Sequence, residues 1–212
     1  PGMVRSHNED SIATDAEVGL AVLADGMGGY NAGEVASGIA VELIRTEMRK
    51  SISGKKSEEL NGLNAEQLIA EHATRANAAI YHASQSQPQY SGMGTTLVVA
   101  LWHDNQMSVG HIGDSRLYRL RGGALEQVTR DHSLLQEQID SGMITREQAR
   151  HSQNKNLVTR AVGIDPEVET EVHSYPVQAG DIYLMCSDGL NDMVTDEDIQ
   201  IILSSFQANL PL

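Results

Sequence analysis

Val18-Gly19-Leu20-Ala21-Val22-Leu23-Ala24-Asp25-Gly26-Met27-Gly28-Gly29 begins as an apolar run and ends in a carboxylate set among glycines. A run of this length, bounded by Gly, reads as a buried strand, with the acid where the chain leaves the core. Two later segments repeat the arrangement. Residues 107–112 lead through Gly113 into Asp114-Ser115-Arg116, and residues 182–186 lead through Ser187 into Asp188-Gly189-Leu190. A carboxylate is costly to bury unpaired, so three at strand ends point to a shared cation.

Outward from this stretch, residues 26–33 read as a glycine-rich turn. Residues 34–50 then carry Val35, Ile39, Leu43 and Ile44 at helical spacing. Polar residues 51–62 read as a surface loop. Asn64 is placed to cap a second long helix over residues 65–85, and Gln87-Pro88-Gln89 ends it.

The second half is strand-rich. Residues 95–102, 107–112, 116–120 and 124–128 are separated by His103-Asp104-Asn105, Gly113-Asp114 and Gly122-Gly123, turns too short for anything but antiparallel neighbours. Residues 168–177 and 182–186 are further strands, and Thr195 can cap a last helix over 196–204. Between them, residues 131–156 are polar and irregular, with two short helical stretches at 134–139 and 145–149, and read as a flap. Two long helices followed by a strand-rich half predict an α+β layered domain rather than alternating βαβ units.

With 212 residues the chain suits one domain, and its hydrophobic fraction of 40% can fill a core although aromatics supply only 4%. The formal charge of −14 excludes a nucleic-acid backbone as the main partner. Cys186 is the single cysteine, so there is no disulfide framework, and a reducing, cytoplasmic setting is expected. No apolar stretch is long enough for a membrane span, and the first five residues form no signal peptide.

Several chemistries fail on spacing. Asp192 stands where a cysteine phosphatase needs Arg after Cys186, and Arg49 where a Walker loop before Gly54-Lys55 needs Gly. Asn31 replaces the third Gly of a dinucleotide fingerprint, and Ser115 and Ser187 lack the glycines of a nucleophile elbow. What remains is acid plus metal. Asp25, Asp114 and Asp188 are joined by Glu9-Asp10, and hard oxygen ligands suit Mg²⁺ or Mn²⁺ better than zinc. Arg5 adds a planar fork suited to phosphate.

These residues resemble the metal-dependent PPM (type 2C) Ser/Thr protein phosphatases of the short bacterial kind. The resemblance is carried in order by residues 2–11, Ala24-Asp25-Gly26-Met27-Gly28-Gly29, Gly92-Met93-Gly94-Thr95-Thr96-Leu97, Gly113-Asp114-Ser115-Arg116 and Cys186-Ser187-Asp188-Gly189-Leu190. It implies a central β-sandwich of two mostly antiparallel sheets flanked by helix pairs in α-β-β-α layers, with the metals at one end between the sheets. It further implies Mn²⁺ or Mg²⁺, as two core ions and a weaker third.

By the same resemblance, Asp25 bridges both core metals, the Gly26 carbonyl binds one, and Asp188 binds the second. Asp114 holds the third together with Asp188, Glu9 and Asp10 act directly or through water, and Arg5 grips the substrate phosphate. A metal-bridging hydroxide then attacks phosphoserine or phosphothreonine in line, without a phosphoenzyme, in an enzyme opposing a Ser/Thr protein kinase. A monomer acting on phosphorylated proteins, away from nucleic acid and membrane, is the expectation.

Two departures from the family pattern stand out. Met27 occupies the place where eukaryotic relatives carry a histidine proposed as general acid, and a thioether cannot donate that proton. The 212 residues are also expected to form a single phosphatase domain lacking the family's first strand and its C-terminal Asp-Asn strand. The alternative reading is therefore a truncated, catalytically weak domain that binds a phosphoprotein or regulator. Taken singly, Asp114 can shape a turn, Asp188 can cap a helix and Arg5 can be a surface cation, but none of these explains their occurrence together.

Overall fold

The computed structural model describes residues 7–29, 32–53, 64–150, 152 and 157–206. The larger sheet runs in the order β1 (Asp10–Asp15), β2 (Leu20–Met27), β4 (Leu97–His103), β5 (Gln106–Ile112) and β8 (Glu171–Pro176), with the short β3 (Gly94–Thr95) on the end of β2. The smaller sheet is β7 (Ala124–Gln127), β6 (Arg116–Arg121) and β9 (Ile182–Cys186). Every pairing among these strands is antiparallel, as the short connections require. Asp104 and Asn105 both take positive φ, +44° and +58°, and turn β4 tightly into β5.

Alternation along β4 builds two cores at once. Leu97, Val99 and Leu101 face the long helices α1 (Ala32–Ile52) and α2 (Ala65–Ser86), while Val98 and Ala100 face the smaller sheet with Met107, Val109 and Leu117. Each such Leu or Val, wholly removed from water, contributes about 1.5–3 kcal/mol relative to exposure. Asn64 caps α2 by accepting from the Gln67 N–H at 3.0 Å, as its position before the helix predicts. The helix seats closely over β5 because Gly110 lies beneath it; a Cβ there would come within 2.4 Å of Ile69 Cγ2.

The segment after β7 folds into two short helices, α3 (Leu134–Asp140) and α4 (Arg146–Arg150). It is pinned at its base by a bridge between Ser133 and Val158. A single turn of helix, α5 (Asp188–Asn191), follows β9, and α6 (Asp196–Phe206) lies against β6 and β7. The Asp198 N–H reaches Thr195 Oγ1 at 3.2 Å, the cap foreseen for α6. Both sheets and both helix layers therefore agree with the layered α+β architecture. Two sequence expectations need adjusting. The chain before Val18 contains a further strand, β1, and the strand expected to end at Ala24 continues through Asp25 to Met27, because β1 and β3 supply it with partners on either side.

Candidate metal centre

Asp25 stands on β2 directly opposite Asp10 on β1, in an antiparallel register that puts both side chains on one face. Leu20, Val22 and Ala24 point to the helices, so Asp25 points to the other face, between the sheets. Asp114 lies in the turn that carries the chain from β5 of the larger sheet to β6 of the smaller. Asp188 follows β9, which pairs with β6 through Arg116 and Cys186. Both sheets thus deliver carboxylates to the same end of the sandwich.

The backbone of Asp25 is held rigidly. Its N–H donates to Thr96 Oγ1 at 3.0 Å, while its carbonyl accepts from Thr95 Oγ1 and from the Thr96 N–H, both at 2.9 Å. The Ser187 hydroxyl donates to Asp10 Oδ2 at 3.1 Å, tying the strand before Asp188 to the carboxylate beside Asp25.

Burial, followed by the negative charge of Asp10 and Asp188, pushes the Asp25 carboxyl up to about 8. Burial and the neighbouring Asp131 and Asp188 raise Asp114 to about 6. Arg116 offsets this crowding only in small part, because its guanidinium is engaged in a fork with Asp131, at 2.9 and 2.7 Å. A cluster of hard oxygen donors with uncompensated charge fits a divalent cation of the Mg²⁺ or Mn²⁺ type. A cation bound by Asp25 must expel the proton that burial and its fellow acids retain there. Mn²⁺ titrated calorimetrically near pH 7 in two buffers of different ionisation enthalpy is expected to release about one proton, falling towards none at about pH 9. Buffer-independent heats near pH 7 would show that cation uptake expels no proton from Asp25.

Residues 4–210 match the family model described as Protein phosphatase 2C. The chain belongs to the protein phosphatase 2C family. The serine/threonine phosphatase stp of Listeria monocytogenes is 36% identical over 207 residues, covering 96% of this chain and 80% of that protein. Among solved structures, the Mycobacterium tuberculosis serine/threonine phosphatase PstP/Ppp superposes with a TM-score of 0.85 at 38% identity, over 95% of this chain and 81% of that one. The catalytic domain of PstP in complex with two manganese ions superposes with a TM-score of 0.81 at 38% identity, over 96% and 80% of the two chains.

In this 2C-family chain the remaining candidates are placed unequally. The Glu9 carbonyl accepts from the Gly26 N–H at 3.0 Å and from Ser37 Oγ at 2.6 Å. Its carboxylate lies against Gly33 in the first turn of α1. Gly26 itself fits where a side chain could not, since a Cβ would stand 2.0 Å from the Gly33 carbonyl oxygen and 2.7 Å from that of Glu9. Arg5 lies outside the described residues. Asp188 is the first residue of α5; its cap position is taken by Ser187, so a capping role for Asp188 does not hold. Cys186 is buried, and its thiol is pushed up to about 11, which suits a core residue and not a nucleophile.

The flap borders the acidic centre. A cleft of about 310 Å³ is lined by Asp114, Asp131 and Asp188 on one side and by Leu135, Ile139 and Arg146 of the flap on the other. His132, at the root of the flap, ties it to the Asp114 turn: its backbone N–H reaches the Gly113 carbonyl at 2.9 Å, and its Nδ1 accepts from the Gly113 N–H at 3.2 Å.

His111, His132 and Glu171 bring one potential ligand atom each within 4.8 Å of the others, an association the sequence spacing does not show. Their hydrogen bonds argue against a cation there. With Nδ1 accepting from Gly113, His132 carries its proton on Nε2, 3.3 Å from Glu171 Oε2, and so presents no lone pair. His111 donates through Nε2 to the Arg130 carbonyl at 2.7 Å and stacks on His132 with ring centroids 4.7 Å apart. Burial holds both rings below the ordinary histidine range, hence neutral. The pair is a polar plug beneath the flap, distinct from the carboxylate centre. Thr96 and Ser187 are the contributors that sequence reading missed; only their adjacency to the strand start and to Asp188 could have marked them.

Proposed function

We propose that this chain is a metal-dependent protein phosphatase that hydrolyses phosphoserine and phosphothreonine. The observation that carries this is the convergence of Asp10, Asp25, Asp114 and Asp188 from both sheets, with Asp25 held near 8 by burial and by its fellow acids. Asp25, the Gly26 carbonyl and Asp188 would hold the core cations, with Glu9 and Asp10 acting directly or through water, and Asp114 would join Asp188 for a third. Mn²⁺ or Mg²⁺ held there would supply Lewis acidity, acidifying water and neutralising phosphoryl charge.

The chain's own residues provide the frame for this chemistry. Thr95 and Thr96 lock the Asp25 backbone, Ser187 orients Asp10, and Arg5 grips the phosphate. Water adds to phosphorus, and the serine or threonine oxygen departs with a proton that Met27 cannot supply, leaving inorganic phosphate and the free hydroxyl. The enzyme acts as a monomer in the cytoplasm, opposing a Ser/Thr protein kinase. A net charge of −14 supports a protein substrate over a nucleic acid, and no helix among the described residues is long and apolar enough to cross a membrane.

Phosphate release from a phosphothreonyl peptide is the direct test. Turnover is expected with Mn²⁺ or Mg²⁺ and abolished by EDTA. Cation-independent turnover would overturn the mechanism, and cation binding without turnover would favour a phosphoprotein-binding module.

A further inference from the structure

One hydroxyl touches both halves of the acidic centre. Thr96 Oγ1 accepts the Asp25 N–H at 3.0 Å and lies 2.7 Å from Ser115 Oγ, in the residue that follows Asp114. Thr96 and Ser115 are each 2% exposed, so water does not compete for either group. The Thr96 methyl fills the remaining space, since a Cβ on Gly113 would meet Thr96 Cγ2 at 2.8 Å. Gly113 holds φ at +100°, so the turn carrying Asp114 is shaped around Thr96. A buried hydroxyl that loses its partner pays its full desolvation cost, so this contact holds the Asp114 turn against the start of β4.

We propose that Thr96 and Ser115 are a positioning pair that sets the spacing between the Asp25 carboxylate and the Asp114–Asp188 carboxylates, and so couples cation affinity at the two places. The proposal rests on the cation-binding reading of the centre. Neither hydroxyl is a ligand: Thr96 is committed to the Asp25 backbone and Ser115 to Thr96. Their effect is indirect. With the link intact, the Asp114 turn is already where a cation shared with Asp188 needs it. Without it, ordering the turn must be drawn from the binding free energy of that cation.

Three variants of the intact chain separate this role from plain packing. Ser115→Ala cuts the link and leaves the Thr96–Asp25 bond in place. Thr96→Val removes both bonds at constant volume, and Thr96→Ser retains both. Mn²⁺ binding is read by calorimetry, with the melting temperature of the metal-free protein as control. In Ser115→Ala, the tighter binding at Asp25 is expected to be unchanged and the weaker binding to fall about tenfold, a coupling of about 1.4 kcal/mol. Thr96→Val is expected to weaken both, and Thr96→Ser to restore the parental isotherm.

A Ser115→Ala protein with a lowered melting temperature and a parental Mn²⁺ isotherm would overturn the proposal, since that is the signature of packing alone. An equal loss at both events would overturn it too. If the parent protein binds no Mn²⁺, the failure lies with the cation reading itself. Because calorimetry of the parent is run first, the two failures are distinguishable.

Discussion

Asp25→Asn is expected to lower turnover at saturating Mn²⁺ by about a thousandfold or more, equivalent to roughly 4 kcal/mol of barrier, while leaving the fold intact. The amide has nearly the shape of the acid, and the hydrogen bonds that fix the residue run from its backbone to Thr95 and Thr96, not from its side chain. What disappears is the anionic charge that burial and Asp10, Asp188 and Asp114 already oppose in the metal-free protein. The sign of the stability effect follows from linkage. A carboxyl raised from 3.8 to about 8 contributes stability that is present at low pH and lost as pH rises through about 8. Replacing it by an uncharged amide removes that dependence. The metal-free variant should therefore melt higher than the metal-free parent at pH 8 to about 9, and Mn²⁺ should raise the parent's melting temperature far more than the variant's. Near-parental turnover in the variant, or a lower melting temperature at alkaline pH, would contradict the assignment of Asp25 as the central ligand.

Much of this architecture is legible in the chain because its core strands are apolar runs of strand length and its turns carry their own chemistry. Residues 97–101 are apolar throughout because one face meets helices and the other meets a second sheet. Asp104-Asn105 and Gly122-Gly123 announce hairpins, and the positive φ values at all four positions bear this out. β1 escapes notice for the converse reason. Asp10-Ser11-Ile12-Ala13-Thr14-Asp15 is an edge strand with Ile12 73% exposed, so it has no buried run to betray it.

The site divides in the same way. Asp25, Asp114 and Asp188 stand out because each breaks an apolar run. Asp10 is recognised only by its neighbours, yet the β1–β2 register sets it directly opposite Asp25. The links made by Thr96, Ser115 and Ser187 are invisible beforehand, because a hydroxyl carries no sequence signal of what it will bond across a sheet. The stacked His111 and His132 likewise come from β5 and the flap root, 21 positions apart in sequence, and only the fold brings them together.

Gly26→Ala, by contrast, is expected to damage the fold and the site together, lowering the melting temperature of the metal-free protein by roughly 6 °C or more, as a loss of about 3 kcal/mol would. The constraint is space rather than dihedral angle. A Cβ would stand 2.0 Å from the Gly33 carbonyl oxygen and 2.7 Å from the Glu9 carbonyl oxygen, and both are backbone atoms that no rotamer change can clear. Relief requires α1 to lift from β2 or β1 to separate from it, which would break the Gly26 N–H bond to Glu9 and shift the Asp10–Asp25 register. Gly38→Ala supplies the matched control. Gly38 lies within α1 with nothing within 4 Å of an added Cβ, so the same chemical change should stabilise the helix by about 0.5–1 kcal/mol. Opposite signs at Gly26 and Gly38, read by thermal unfolding, would separate close approach of backbones from any general intolerance of alanine. A Gly26→Ala protein that melts like the parent would mean that α1 does not sit against β2 at the distance on which the whole carboxylate centre depends.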